Sequence, residues 1–349
     1  MRGRVVVLGQ YRGREAAALI VDGQLEDLLV APGDDAGFLP GSILRGSMDR
    51  PVKGMGGAFV RLPDGQKGFL RETRGLAPGR PVIVQVSGHA EPGKALPVTT
   101  RVLFKGRLAI VTPLAPGLNI SRRIRAEDSR ARLEAIAQQA MAGSPFGLVM
   151  RSAAEHADDD EIGEEIAVLR DLAERVMADT DGAPELLVDA PGPVELAARE
   201  WADPLPDEVA EGAAAFAEHG VEEMIDALLL PTVPLPGGGH MAIEPTRAMV
   251  AVDINTGTDM TPAAALKANI AAARDLPRQL RLRGLGGQIA IDFAPMPKRD
   301  RSAVEQQLRR SFKGDPTETN LAGWTPLGNF ELARKRDRLP LAEVLKGKA

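Results

Sequence analysis

Ala248-Met249-Val250-Ala251-Val252-Asp253-Ile254-Asn255-Thr256-Gly257 is a short apolar run closed by polar residues. The pattern returns at Gly286-Gly287-Gln288-Ile289-Ala290-Ile291-Asp292-Phe293. The residues between the two runs have helical character, so the stretch predicts strand–helix–strand. A helical crossover between neighbouring strands makes them parallel. Asp253 and Asp292 then share the carboxyl end of a sheet, where open α/β sheets place ligands. Two carboxylates and the Asn255 amide converging there suit a divalent cation. The blander alternative is a pair of strand-end aspartates that cap turns. Between the strands, Thr261 suits a helix N-cap and Pro262 the first turn. Leu266, Ile270 and Ala273 recur at helical spacing and predict the buried stripe. Pro277 predicts a kink or a restart.

Outward from this unit, the 349-residue length allows about two or three domains. With 44% hydrophobic and 26% charged residues the composition is that of a soluble globular chain. Only 3% is aromatic, so Ala, Leu, Val and Ile must fill most of the core. The net charge of −5 neither favours nor opposes nucleic acid, because charge can be segregated. The absence of cysteine removes disulfides, thiolate catalysis and cysteine zinc sites, and fits a reducing compartment. No apolar stretch approaches the roughly 20 residues of a spanning helix. Met1–Leu8, basic then apolar, is too short for a signal-peptide core and predicts a strand. His89, His156, His219 and His240 show no metal-ligand spacing. No phosphate-binding loop and no nucleophile elbow is found.

Taken in order, Ala16–Val21 and Leu25–Val30 flank Asp22-Gly23, a hairpin signal. Ser42–Met48, Ala58–Leu62, Lys67–Leu70 and Val82–Val86 read as short strands of a small barrel. Phe59 and Phe69 lie either side of the turn Pro63-Asp64-Gly65, with Arg61, Lys67 and Arg71 nearby. Aromatics among basic residues on a barrel suit base stacking with single-stranded nucleic acid; the alternative is that both Phe belong to the barrel core. Arg101–Thr112 and Phe146–Met150 predict strands, and Glu127–Ala142 and Ile162–Met177 helices. Two short helices are expected around Gly220, and Pro231–Gly239 reads as a boundary. Lys298–Lys313 predicts an amphipathic helix carrying Arg299, Arg301, Arg309, Arg310 and Lys313. With Arg334-Lys335-Arg336, these cations could hold a polyanion beside Asp253 and Asp292.

Three segments together resemble the ribonuclease E/G family: Val252–Gly257, Gln279-Leu280-Arg281-Leu282-Arg283-Gly284-Leu285-Gly286-Gly287, and Ile291-Asp292-Phe293. Further similarity lies at Gly57-Ala58-Phe59-Val60, Gly68-Phe69-Leu70, Ile120–Ile124, Arg151-Ser152-Ala153-Ala154 and Gly328–Leu332. The resemblance implies an α/β multidomain chain. It would comprise a split RNase H-like domain (1–39 and 196–231), an inserted OB-fold barrel (40–100), a 5′-sensor subdomain (101–195) and a DNase I-like catalytic domain (232–349). The activity implied is Mg²⁺-dependent endonucleolytic hydrolysis of single-stranded RNA, leaving 5′-phosphate and 3′-hydroxyl ends. RNA binding on the same scaffold with weak or no cleavage is the alternative. Asp253 and Asp292 would hold Mg²⁺, and Asn255 would orient Asp292 or the scissile phosphate. Phe59, Phe69 and Lys94 would touch RNA, and Gly106, Ile110, Arg151 and Ser152 would line a 5′-monophosphate pocket. A cytoplasmic location is implied, with RNA and not DNA as partner. The family's Cys-Pro-x-Cys zinc link and C-terminal small domain have no counterpart in this sequence, so no zinc-linked oligomer is expected. Monomer and homodimer stay open. Arg247 stands where the family has an acid, Pro295 where it has a second acid, and Glu318-Thr319 where it has a sensor arginine.

Overall fold

The computed structural model describes residues 3–33, 36–52, 54–90 and 93–346. Met1 and Arg2, with which the first expected strand begins, lie outside them. The described residues fall into two compact units: Val7–Gly33 with the chain from Ala210 on, and Gly3–Val6 with the chain up to Val209. The chain opens with β1 (Arg4–Tyr11), β2 (Arg14–Val21) and β3 (Gln24–Val30). β2 and β3 form the expected hairpin. Asp22 and Gly23 turn it at φ 49° and 79°, the positive values that a two-residue hairpin turn requires.

The second unit begins with β4 (Ile43–Val52), β5 (Gly57–Arg61), β6 (Lys67–Leu70), β7 (Pro81–Val86) and β8 (Leu96–Thr99). Their order is β4-β5-β6-β8-β7, and β7 pairs back to β4, so five strands close into an OB-like barrel. Only β6 and β8 run parallel. Period-2 alternation sends Ala58, Val60, Leu70, Val84 and Val98 into the barrel core. The fifth strand was not foreseen because Pro97 sits inside its four residues. Next come β9 (Phe104–Lys105), β10 (Ala109–Thr112), β11 (Leu118–Ile120), α1 (Glu127–Ala140), β12 (Gly147–Met150) and α2 (Asp159–Ala178). The sheet β11-β12-β10-β9 and the two helices share one core that includes Leu108, Val111, Leu133, Leu148 and Ile166. β13 (Glu185–Val188) adds to β4, where the buried Arg45 pairs with Asp179 and Glu185 and donates to the Ala183 carbonyl at 2.9 Å. α3 (Pro193–Glu200) and β14 (Glu208–Glu211) follow, and β14 lies at the edge of the sheet β14-β1-β2-β3.

Back in the first unit, α4 (Ala215–Glu218) and α5 (Val221–Leu229) flank Gly220 as expected. The long sheet is built from β15 (Thr232–Pro234), β16 (His240–Pro245), β17 (Val250–Asn255), β18 (Gly287–Asp292), β19 (Thr319–Trp324) and β20 (Phe330–Arg334). Its order is β15-β16-β17-β18-β20-β19. Pro231–Gly239 supplies the first strand and turn of this sheet instead of lying outside it. α6 (Pro262–Leu282) connects β17 to β18, which pair in parallel. Thr261 caps it, accepting from the Ala264 amide at 3.3 Å. α6 continues through Pro277 without a restart, because Leu276, Pro277 and Leu280 are all buried and that packing outweighs one lost backbone bond. α7 (Arg301–Lys313) shares its core through Val304 and Leu308, and α8 (Leu341–Val344) closes the described chain. With Val252, Ile254, Ile289 and Ile291 turned to that core, alternation leaves Ala251, Asp253 and Asp292 on the open side.

The arginines of the Arg278–Gly287 segment are structural. Arg278 donates to the Leu25 carbonyl at 2.7 Å. Arg281 pairs with Glu26 at 2.5 Å and with the buried Asp315. Arg283 donates to the carbonyls of Leu230, at 2.7 Å, and Leu228, and burial pulls its pKa down to about 10. Together they fasten the β2–β3 hairpin and the end of α5 to α6. Arg334 belongs to the same network, 2.8 Å from Asp315 with both side chains 1% exposed. It cannot serve the expected polyanion surface.

Candidate active site and nucleic-acid contacts

Asp253 and Asp292 are register partners on adjacent parallel strands. Neighbouring strands lie about 4.8 Å apart, so the two carboxylates stand side by side. Both residues are exposed, and neither has an ion-pair partner among the described residues. Asn255, two residues on and therefore on the same face, donates its amide to Asp253 Oδ2 at 2.7 Å. The sequence leads one to expect Asn255 to orient Asp292 or the scissile phosphate; the contact its amide makes here is with Asp253. Two like charges side by side with no counter-charge form a site suited to a cation. Among the described residues no three His, Cys, Asp or Glu gather around one point, so water would have to complete most of its shell.

Two neighbours escaped the sequence reading. Asn269 is fully buried in α6, donating to the Ala294 carbonyl at 2.9 Å and accepting from the Ala294 amide at 3.0 Å. It thereby fixes the backbone two residues beyond Asp292. The available signal was a lone amide among the alanines of an apolar helix face. His240, dismissed as a metal ligand, pairs in register with Asn255. Arg247 does not stand beside the aspartates. It lies in the Thr246–Met249 turn at the amino end of β17, closed by a 2.8 Å bond between the Thr246 amide and the Met249 carbonyl. Pro295 is exposed three residues after Asp292. Of the expected cation cluster, Arg309 pairs with Glu305 at 2.6 Å and Arg301 lies over the Trp324 ring at 4.6 Å.

On the barrel, Phe59 and Phe69 are register partners with ring centroids 5.6 Å apart. Both are half-buried, whereas Ala58, Val60 and Leu70 beside them are buried. The alternation therefore turns the rings outward and overturns the alternative of a core role. Arg61 and Lys67 flank them in register and are exposed. Lys94 is exposed just ahead of β8, whose Pro97 pairs with Phe69.

Gly106, Ile110, Arg151 and Ser152 collect at one end of the sheet β11-β12-β10-β9. Ala109 pairs with Met150, and Arg151, directly after, donates to the Gly106 carbonyl at 2.8 Å. A Cβ at Gly106 would come within 2.3 Å of Glu165 Oε1, so a side chain there would displace that carboxylate. The same carboxylate accepts from the amides of Leu108 and Ala109, at 2.7 and 3.0 Å, and so shapes the loop. Arg151 is also paired with Glu200 at 2.8 Å. Burial alone would raise the Glu200 carboxyl, but Arg151 and Arg199 more than offset it and hold it below the usual glutamate range. Glu318-Thr319 leads into β19, where Thr319 accepts from the buried Arg334 at 3.1 Å.

A sequence model of the ribonuclease E/G family matches residues 104–211 and 207–337. Ribonuclease E of Nostoc sp. is 28% identical over 99% of this chain and 57% of its own length. Ribonuclease E of Synechocystis sp. is 30% identical over 95% and 56%. Ribonuclease G of Haemophilus influenzae is 27% identical over 94% and 78%. The chain thus spans little more than half the length of these ribonuclease E relatives. Among the described residues no helix is long and apolar enough to cross a membrane. With one match to the strand-end aspartates and another to the sheet of Arg151, the chain belongs to the ribonuclease E/G family.

Proposed function

We propose that the chain is an endoribonuclease that hydrolyses phosphodiester bonds of single-stranded RNA, leaving 5′-phosphate and 3′-hydroxyl ends, in RNA processing and decay. The observation that carries this reading is the side-by-side, uncompensated placement of Asp253 and Asp292 at the carboxyl end of their strands. The donor set fits Mg²⁺, a hard cation that binds through one or two carboxylates and keeps much of its water. When bound, Mg²⁺ supplies Lewis acidity and a water of lowered pKa. Asp253 and Asp292 hold it, and the Asn255 amide keeps the Asp253 carboxylate turned. Asn269 holds the backbone beyond Asp292 in place. Phe59 and Phe69 offer outward ring faces for base stacking, with Lys94 drawing the phosphates. Gly106, Ile110, Arg151 and Ser152 form the 5′-monophosphate pocket. The barrel is the OB-fold insert and 101–195 the sensor. The 232–349 region is the DNase I-like catalytic domain, and 1–39 with 196–231 the split RNase H-like domain. Pairing of β14 with β1 supports that split. A cytoplasmic location belongs to the same reading.

The alternative, RNA binding without cleavage, is motivated by Arg247 and Pro295 standing where the family has acids. Of the two, Pro295 follows Asp292 by three residues, whereas Arg247 lies ahead of the amino end of β17. One assay decides between them: end-labelled single-stranded RNA incubated with the purified chain in Mg²⁺ or in EDTA. Internal cuts that require Mg²⁺ and vanish in Asp253→Asn are expected. RNA bound but uncut in Mg²⁺ would leave the alternative standing.

A further inference from the structure

Glu200 lies between two arginines. Its Oε2 is 2.8 Å from Arg151, and its Oε1 accepts from Arg199 Nε at 2.9 Å. Each arginine is anchored on its far side: Arg151 to the Gly106 carbonyl at 2.8 Å, Arg199 to the Lys105 carbonyl at 3.4 Å. The arginine side chains are 20% and 13% exposed, whereas that of Glu200 is 43% exposed. The cations are thus fixed and the anion is the part solvent can reach. Carboxylate and phosphate are matched by the same guanidinium geometry. Glu200 is also the last residue of α3, the helix end at which a negative charge is disfavoured. The helix therefore works against the carboxylate that the two arginines hold.

We infer that Glu200 is a specificity-determining residue: its carboxylate occupies the anion position between Arg151 and Arg199, and an RNA 5′-monophosphate must displace it to bind. The inference rests on the proposed 5′-end pocket. It differs in sign from a merely structural role. If Glu200 only orients Arg151, its removal weakens binding of a 5′-phosphate. If it occupies the phosphate position, its removal strengthens that binding.

The experiment uses the whole chain and two single-stranded RNAs of one sequence, carrying a 5′-monophosphate or a 5′-hydroxyl. Dissociation constants are measured in wild type, Glu200→Gln, Glu200→Ala, Arg151→Ala and Arg151→Ala/Glu200→Gln, with melting curves for each. Both Glu200 variants should raise the monophosphate advantage about tenfold, the size of one charge-assisted contact. The double variant should lose that gain. A ratio unchanged or lowered in both Glu200 variants, with Arg151→Ala still reducing it, overturns the role of Glu200 and leaves the pocket standing. A ratio that no variant moves overturns the pocket and the inference together.

Discussion

The carboxyl end of the long sheet and the turn after β12 both collect charge at strand ends, with opposite balance. At the first, Asp253 and Asp292 stand together with no cation among the described residues to offset them. At the second, Glu200 lies between Arg151 and Arg199, and the charges compensate within the protein. An uncompensated like-charge pair costs folding energy and draws a counter-ion from solution. A compensated cluster holds itself together, and a ligand there must compete with a side chain. The sharpest test of the difference is to neutralise the first site. Asp253→Asn and Asp292→Asn should each lower the cleavage rate by about a thousandfold, the scale of several kcal/mol of lost metal assistance. RNA affinity should change little, and the metal-free melting temperature should hold or rise as repulsion is relieved. Wild-type cleavage in both variants would put the chemistry elsewhere.

Asn269 sharpens the same comparison, because it supports the Asp292 strand end without being part of the charge pair. Asn269→Ala strands the buried amide and carbonyl of Ala294. Each orphaned group costs about 1–3 kcal/mol, so the loss should be roughly 3–5 kcal/mol in urea unfolding. Turnover at saturating RNA should fall further than RNA affinity does. If stability drops while turnover per folded molecule is untouched, Asn269 serves the fold alone.

Much of this was legible in the sequence, for reasons that differ along the chain. The β17–α6–β18 unit could be read because Thr261, Pro262 and the closing glycines punctuate it, and because strand-end aspartates after β-branched runs fix which end they occupy. That both aspartates share one end followed from chain direction; that they are register partners is seen only in the structure. The arginines could not be read in this way. Arg281, Arg283 and Arg334 look like surface cations until Glu26, Leu230 and Asp315 are brought to them from distant positions. Arg247 drew attention because it stands where the family has an acid, and the turn ahead of β17 leaves it at the opposite end of that strand from the aspartates. Glu200 carried no local signal, since its partner Arg151 lies 49 residues away.

A third carboxylate, Asp27, is compensated like Glu200 but 10% exposed, so the comparison predicts a role in stability alone. Arg338 reaches both its oxygens, at 2.5 and 3.0 Å. Burial by itself would raise the Asp27 carboxyl; Arg338, Arg281 and the Leu28 amide outweigh it and hold the carboxyl below the usual aspartate range. A depressed folded pKa gives stability that is complete above the unfolded pKa, about 3.9. That stability is lost as pH falls through the lower folded value. Burial raises neighbouring Glu26, which acts in the opposite sense, so the test is a difference between variants. Asp27→Asn should cost about 2–3 kcal/mol at pH 7 and show a shallower loss on acidification below about pH 4 than wild type. Parallel acid profiles would remove Asp27 from the acid dependence.

The barrel face offers the smallest effect and carries no charge balance of its own. Phe59 and Phe69 are half-buried and meet edge to face. Each covers part of its partner, so truncating one uncovers the other without opening the core, and Val60 and Leu70 stay packed. Melting should therefore shift little. Base stacking on an aromatic is worth about 1–3 kcal/mol. The lower end applies here, because the remaining ring still offers a face to the same base and part of each ring is already covered. Phe59→Ala and Phe69→Ala should each weaken single-stranded RNA binding by about 1 kcal/mol, roughly fivefold. The double variant should lose more than the sum of the singles, since the compensating ring is then gone as well. Strict additivity would mean that the rings hold separate bases. Unchanged affinity in the double variant would leave the barrel face without a role in binding the strand.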